Sequence, residues 1–455
     1  MKDNIWKWAG RTGLAILGTT ALAGAAMAQD DVAPAASAVS AYVDNSYLFL
    51  ISGMVVMFMA AGFCMLEVGM VRAKNAATQA VKNVMLYSVA GIMVYLCGYS
   101  LIYNGALDEP LWIIENVLAM PSVWSQDGLG EMQGDYAAAS DWFFQMVFVA
   151  TAASIVSGTV AERIKILPFM IFTVILTGFI YPIQCSWQWG GGWLSQLNFM
   201  DFAGSTLVHS CGGWAALVGA LILGPRAGKY VDGKVNPMPG SNIPLAALGT
   251  FILWLGWFGF NGGSELAAGA PGSINAVSTI FANTNLAAAG GVVAAAILTP
   301  LFFKKMDPTI VMNGAIGGLV AITAQPSSPE MWQAIIIGAV GGAIIVFTVP
   351  LLDKLKIDDV VGAIPAHLFA GIFGTLVVAW TYQTELEDGT TISALDQLIA
   401  QVIGVLGVAA FVIVTSAIVW LLLKFTIGIR TSEEEELEGL DKYELGLEAY
   451  PEFTK

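Results

Sequence analysis

Asp201-Phe-Ala-Gly-Ser-Thr-Leu-Val-His209 and Asp359-Val-Val-Gly-Ala-Ile-Pro-Ala-His367 read as two copies of one stretch. Each places a histidine eight residues after an aspartate and runs on into small, apolar, glycine-rich sequence. The chain has two histidines in 455 residues, and these are they. Both sit inside hydrophobic runs long enough to cross a bilayer, where an ionisable side chain is costly and marks function by default. At about 1.5 Å of rise per residue, eight helical residues span roughly 12 Å. If each aspartate marks a membrane edge, each histidine lies near the middle of a hydrocarbon core about 30 Å thick.

Whether the two histidines meet there depends on topology, and composition bounds the topology. Hydrophobic residues make up 56% of the chain and charged residues 12%, against about 25% charged in soluble proteins. The chain is therefore expected to be an all-α integral membrane protein, one polytopic bundle with short loops. Its 50 glycines suit closely approaching membrane helices, and Gly314-Ala-Ile-Gly-Gly318 and Gly338-Ala-Val-Gly-Gly342 contain the GxxxG spacing. A net charge of −15 without a basic patch disfavours nucleic acid as a partner. Cys64, Cys97, Cys185 and Cys211 have no CxxC or metal-ligand spacing and read as buried apolar thiols.

Met1 to Ala28 carries Lys2, Lys7 and Arg11, an apolar run from Leu14 to Ala25, and Ala26-Met27-Ala28 before Gln29. This reads as a secretory signal peptide (1–28), followed by a short periplasmic N-terminus (29–45). Hydropathy then gives eleven spanning segments within a membrane domain at 46–425: 46–69, 84–104, 141–161, 166–186, 205–224, 243–263, 275–302, 308–324, 331–351, 360–381 and 396–423. With the N-terminus outside, the inner loops hold Arg72, Lys74, Lys82, Arg163, Lys165, Arg226, Lys229, Lys234, Lys304, Lys305, Lys354 and Lys356. The tail at 426–455 is then cytoplasmic, and no outer loop carries a basic residue, as the positive-inside rule requires. The outer loops are acidic, from Asp108 to Asp141 and at Glu385, Glu387 and Asp388. In this topology the fifth and tenth segments run in opposite directions, so the histidines approach the midplane from opposite sides. Five helices and the next five form an inverted repeat, with the site at the repeat interface and an eleventh helix added at the C-terminus.

Aromatic residues from several segments gather at the outer edge. Phe144 and Phe148 lie in the first turns of segment three, Trp189 just past segment four, and Phe260 with Ser264 at the end of segment six. Interfacial aromatic belts are ordinary, but π faces beside a hydroxyl also suit a small cation, by an attraction of up to about 2 kcal/mol when desolvated. Two imidazoles without thiolates or carboxylates fall short of the ligands a metal wants. They suit a small hydrogen-bonding molecule or a proton. Glu67 and Glu162, near Arg72 and Arg163, read as structural ion pairs. The acidic run Glu433 to Glu436 in the tail suits either a solvated extension or a docking element.

At these residues the sequence resembles the ammonium transporter (Amt) family, across essentially all of the chain beyond the signal peptide. The matching motifs are Arg72-Ala-Lys-Asn75, Ala161-Glu-Arg163, Trp189-Gly-Gly-Gly192, the Asp201 to His209 stretch, Gly256-Trp-Phe-Gly-Phe-Asn261 with Ser264, Asp358-Asp359 and His367. The resemblance implies that Phe148, Trp189 and Ser264 form an outer ammonium-recruitment site. It implies that Phe144 and Phe148 are stacked gate phenylalanines with Phe260 as the second gate ring. His209 and His367 become the twin histidines lining the pore, and Asp201 the aspartate that orients the mouth. It further implies a homotrimer and a tail that contacts PII-type signal-transduction proteins. Trp189 argues against the related Rhesus-type branch. The sequence departs from the family's usual Asp-Asp-Pro and Val-His-Gly at Asp358-Asp-Val360 and Ala366-His-Leu368, where Leu368 is expected to narrow the room beside the pore.

The expected function is transport of ammonium, and of methylammonium as a close analogue, across the inner membrane of a Gram-negative-type cell. A bare cation would lose its hydration in an apolar pore, whereas ammonia crosses cheaply. The cation is expected to lose its proton below the phenylalanine gate, with the proton following the histidines or staying outside. The alternative is a membrane ammonium sensor signalling through its tail. An enzyme is disfavoured by the ligand count.

Overall fold

A computed structural model of the chain describes residues 36–125, 129, 131–132, 134–386 and 389–452. The predicted signal peptide at 1–28 lies outside them. Ten helices are long and apolar enough to cross a membrane among these residues. They are α1 (Ala36–Met70), α2 (Ala73–Ala106), α3 (Ala138–Thr159), α4 (Ile166–Ser186), α5 (Ser205–Leu223), α6 (Ile243–Gly263) and α7 (Pro271–Phe303), then, past a shorter α8, α9 (Met331–Lys354), α10 (Ile364–Thr381) and α11 (Ala394–Thr426). The eighth predicted segment is α8 (Pro308–Ile322), fifteen residues long, or roughly 22 Å of helical rise. It stops short because its last carbonyls are taken by the neighbouring loop. Phe202 N–H donates to Ala324 O at 2.7 Å and Ala203 N–H to Thr323 O at 3.1 Å, which satisfies a helix end that would otherwise be left bare in an apolar interior.

Two helices begin earlier than hydropathy predicts. α1 is already helical at Ala36, the first described residue, where the apolar run starts near 46, and α2 starts at Ala73 where it starts near 84. The added turns hold polar residues that the bundle satisfies. Asn45 donates to Asp135 O at 3.0 Å and accepts from the Ala268 and Gly269 N–H groups. Lys82, expected in an inner loop, is buried in α2 and donates from Nζ to Ser157 O at 2.8 Å.

Helices α3 and α5 form the centre, with 89% and 78% of their apolar windows buried, while α7 and α11 are 33% buried and face outward. Long apolar side chains such as Phe251, Leu301, Leu406 and Phe425 stand exposed on the outer surface, as lipid contact or a second copy requires. α1 packs along α6, α7 packs against α8 and α9, and α11 packs on α5. Two short hairpins, β1 (Trp112–Ile114) with β2 (Leu118–Ala119) and β3 (Tyr230–Val231) with β4 (Lys234–Val235), close loops.

The two sequence copies fold alike. In each, an aspartate accepts hydrogen bonds from the backbone that opens the helix. Asp201 accepts from Gly204, Ser205, Thr206 and Leu207 N–H at 2.7 to 3.1 Å. Asp359 accepts from Gly362 and Ile364 N–H at 3.2 and 2.7 Å. Each capped turn is entered through a left-handed glycine, Gly204 at φ 109° and Gly362 at φ 78°. A Cβ on Gly204 would stand 2.4 Å from Val208 Cγ2, so the glycine serves both the turn and the packing. Each helix then opens with a π-helical stretch, Ser205–Ser210 and Ile364–Phe369, that contains the histidine. The aspartates are thus caps outside the helices, and the histidines sit about one turn in rather than eight helical residues along.

Candidate functional site

The wider turn of a π-helix displaces side chains from the regular α spacing and is found chiefly at functional sites. Here it turns His209 and His367 toward each other. Both are buried, and their Nδ1 atoms lie 3.2 Å apart, within hydrogen-bonding reach, one ring donating to the other. The rings are nearly parallel, 28° apart with centroids separated by 5.2 Å.

Above them runs a column of aromatic rings. Phe260 lies 5.2 Å from His209, and Phe148 stacks on Phe260 at 3.8 Å and 15°. Phe144 meets Phe148 edge-on, at 4.7 Å and 61°. The stacked pair is therefore Phe148 with Phe260, not Phe144 with Phe148. Phe144 and Phe148 are one turn apart on α3, where neighbouring rings splay, and Phe260 from α6 takes the parallel position. Trp189 meets Phe148 at 6.3 Å and 77° and donates its indole N–H to Asp201 O at 3.1 Å. Asp201 thus ties the tryptophan to the start of α5 through its carbonyl, while its carboxylate is spent on the cap. Ser264 donates to Phe260 O at 2.8 Å, which leaves its oxygen free to accept from a cation. Glu265 follows it, and burial pushes its carboxyl up to about 7.

Sequence reasoning gave no role to three residues near this column and the histidines. Trp257 stacks on His209 at 4.9 Å and is held by its indole N–H bond to Thr323 Oγ1 at 2.8 Å. It lies three residues before Phe260 on the same helix face, which is the signal that could have found it. Phe63 lies 5.9 Å from His367. Glu265 was legible only by its place next to Ser264.

Leu368 packs on α5, where a Cβ at Gly213 would stand 2.7 Å from its own Cβ. At the end of the bundle that carries the tail, Glu162 pairs with Arg72 at 2.5 Å and with Arg226 at 3.5 Å, in a left-handed conformation at φ 68°. Arg226 also holds Asp358, at 2.8 and 2.9 Å from its two carboxylate oxygens. Burial works against ionisation there, yet the Arg226 bonds and the nearby Arg163 hold the Asp358 carboxyl well below the usual carboxylate range. Arg163 donates to carbonyls of Gly224, Thr159, Ala161 and Asp358. Glu67 forms no ion pair with Arg72; its partners are Gln79, Asn83 and Ser157.

The profile of the Ammonium Transporter Family matches residues 47–450. The chain belongs to the ammonium transporter family. It is 41% identical over 429 residues to the ammonium transporter Amt2 of Archaeoglobus fulgidus, covering 89% of this chain and 88% of that protein. It is 38% identical to the ammonium transporter Amt1 of Haloferax mediterranei, covering 90% of this chain and 80% of that one. Among solved structures, one titled Sensor Amt Protein matches with a TM-score of 0.82 and 34% identity, covering 89% of this chain and 98% of that one. Mep2 of Candida albicans matches with a TM-score of 0.75 and 27% identity over 88% of each chain. As a member of the ammonium transporter family, the chain has the helical membrane architecture of these Amt and Mep structures.

Proposed function

We propose that this member of the ammonium transporter family recruits ammonium at Phe148, Trp189 and Ser264, deprotonates it below the Phe148–Phe260 stack, and conducts ammonia past His209 and His367. The observation that carries the reading is the 3.2 Å contact between the two Nδ1 atoms directly beneath the stacked phenylalanines. A π face and a hydroxyl acceptor favour the cation at the mouth. Below the stack, apolar walls favour the neutral molecule. The proton passes from ring to ring along the histidine pair. Two adjacent imidazoles in a low-dielectric lumen do not both become cationic, so the pair holds at most one extra proton and titrates as a unit.

The wider frame belongs to the same proposal: eleven spanning helices in a five-plus-five inverted repeat with α11 added, N-terminus periplasmic and C-terminus cytoplasmic, in an inner membrane. The shared aspartate cap, left-handed glycine, π-helical turn and histidine of α5 and α10 support the repeat. A homotrimer would cover part of the exposed apolar surface. A PII-type protein would meet the cytoplasmic face at the tail.

A sensor is the second reading, favoured by the likeness to the structure titled Sensor Amt Protein. Uptake of labelled methylammonium into vesicles containing this protein alone separates the two. Transport predicts uptake that saturates and competes with ammonium; uptake at the rate of empty vesicles contradicts it.

A further inference from the structure

Glu67 lies on the inner half of α1 and is buried. Its Oε2 accepts from Asn83 Nδ2 at 2.8 Å, from Ser157 Oγ at 2.8 Å, and from Gln79 Nε2. The Ser157 carbonyl accepts in turn from Lys82 Nζ at 2.8 Å, so a single serine links the buried carboxyl to the buried ammonium. Charge balance with Lys82 accounts for Oε2. It does not account for Oε1, which is buried and has no hydrogen-bond partner among the described residues, an arrangement that is costly to leave unmade.

What lies beside that oxygen accounts for it. Glu67 and His367 line one small cavity together with Phe63, Ser154, Asn313 and Val361. It leaves about 10 Å³ for the centre of a water molecule, room for roughly one. Four of its lining side chains are polar, enough for the partners a buried water needs. Gly158 keeps the space open, since a Cβ there would stand 2.4 Å from Val361 Cγ2 and 3.4 Å from Glu67 Oε1. Phe63 and Glu67 are one turn apart on α1, so the helix sets the ring against His367 and the carboxyl beyond it. Asn313 and Val361 also line a larger inner cavity of about 480 Å³, next to Asp359 and Arg226. The small cavity thus lies between the histidine pair and the inner vestibule.

We propose that Glu67 is the proton-holding group on the inner side of the histidine pair, joined to His367 by a water in the cavity that both side chains line. The inference rests on the relay reading above. When the pair carries an extra proton, the N–H of the His367 nitrogen not shared with His209 breaks and an O–H forms on the water. One of the water's other O–H bonds breaks as Glu67 Oε1 gains the proton. The histidines return to neutral, the carboxylate becomes a carboxylic acid, and Glu67 then releases the proton to water of the inner cavity.

The test uses the full chain in liposomes, with ammonium-evoked current on solid-supported membranes and internal pH read by a trapped dye. In Glu67→Gln the amide oxygen can keep the three donors while the NH₂ replaces Oε1, so the shape persists and the proton site is lost. The expected result is a fall in current of at least fivefold, with internal alkalinisation by entering ammonia kept within twofold of wild type, and partial recovery of current in Glu67→Asp. The Glu67→Gln/Lys82→Gln pair removes both buried charges and is expected to behave as Glu67→Gln does. Wild-type current in either variant overturns the inference, and so does a parallel loss of current and alkalinisation, the mark of a structural role. If neither variant assembles, Glu67 is structural and the inference falls. His367→Ala, run alongside, separates the two levels: full current there sinks the relay reading, whereas lost current there with full current in Glu67→Gln sinks this inference alone.

Discussion

Trp189 shows how much a single side chain can be asked to do at the mouth. It meets Phe148 edge-to-face at 6.3 Å, and its N–H is fixed on the Asp201 carbonyl. The indole is therefore held in one orientation. Trp189→Leu keeps bulk and apolarity but removes the π face, worth up to about 2 kcal/mol, or roughly thirtyfold in affinity at 1.4 kcal/mol per decade. We expect the concentration for half-maximal ammonium current to rise by about five- to thirtyfold, with the protein still folded; an unchanged value contradicts the recruitment site. At this scale the sequence shows which residue types gather, because Phe148, Phe260 and the two histidines are chemically conspicuous in membrane spans. It does not show which rings are parallel. That depends on Phe260 approaching from α6, a contact made across 112 residues of chain. Glu67 was misjudged for the same reason: proximity to Arg72 in sequence suggested a pair, while folding turned the carboxyl toward Gln79, Asn83 and Ser157.

At the scale of the element, the histidine depends on how its helix begins. The Asp201 carboxylate satisfies four backbone N–H groups at the start of α5, which are otherwise bare donors in a buried place. Asp201→Ala leaves those donors unpaired, at a cost of about 3 kcal/mol or more. We expect a clear drop in the thermal unfolding midpoint in detergent, with a smaller drop in Asp201→Asn, which keeps one acceptor oxygen. Equal midpoints for Asp201→Ala and wild type would show that the cap is dispensable. The repeated Asp-x-x-Gly was legible in both copies, though the π-helical turn was not, since no composition rule distinguishes it from α-helix. Helix boundaries were misread where polar residues are buried. Hydropathy ends a span at Lys82, but the bundle offers that ammonium the Ser157 carbonyl and continues the helix.

At the scale of the whole molecule, the tail and the histidine pair each join distant parts of the chain. The tail, legible only as an acidic run, folds into α12 (Glu433–Glu438) and α13 (Leu440–Leu445) and docks against the start of α2. Asp441 accepts from Ala77 and Thr78 N–H at 2.9 and 2.7 Å, and Lys74 Nζ donates to the Glu436 carbonyl at 2.8 Å. Glu436 accepts from Arg430 at 2.8 Å and from Ala227 N–H at 2.6 Å. Leu437 and Tyr443 remain exposed. Deleting residues after Arg430 is expected to speed hydrogen exchange at the inner end of α2 and to abolish binding of a PII-type protein; full-affinity binding to the truncated chain contradicts the docking role. The histidine pair joins α5 to α10 at the centre, so its chemistry tests the account most directly. The measurement is ammonium-evoked current on solid-supported membranes for His209→Ala, His367→Ala and the corresponding aspartate variants. We predict at least a tenfold loss of current in each alanine variant, because the ring-to-ring path is cut, and residual transport that admits potassium in the aspartate variants, because an acidic group favours a cation over ammonia. Wild-type current with unaltered selectivity in both alanine variants would contradict a pore-lining relay and leave two packed core histidines.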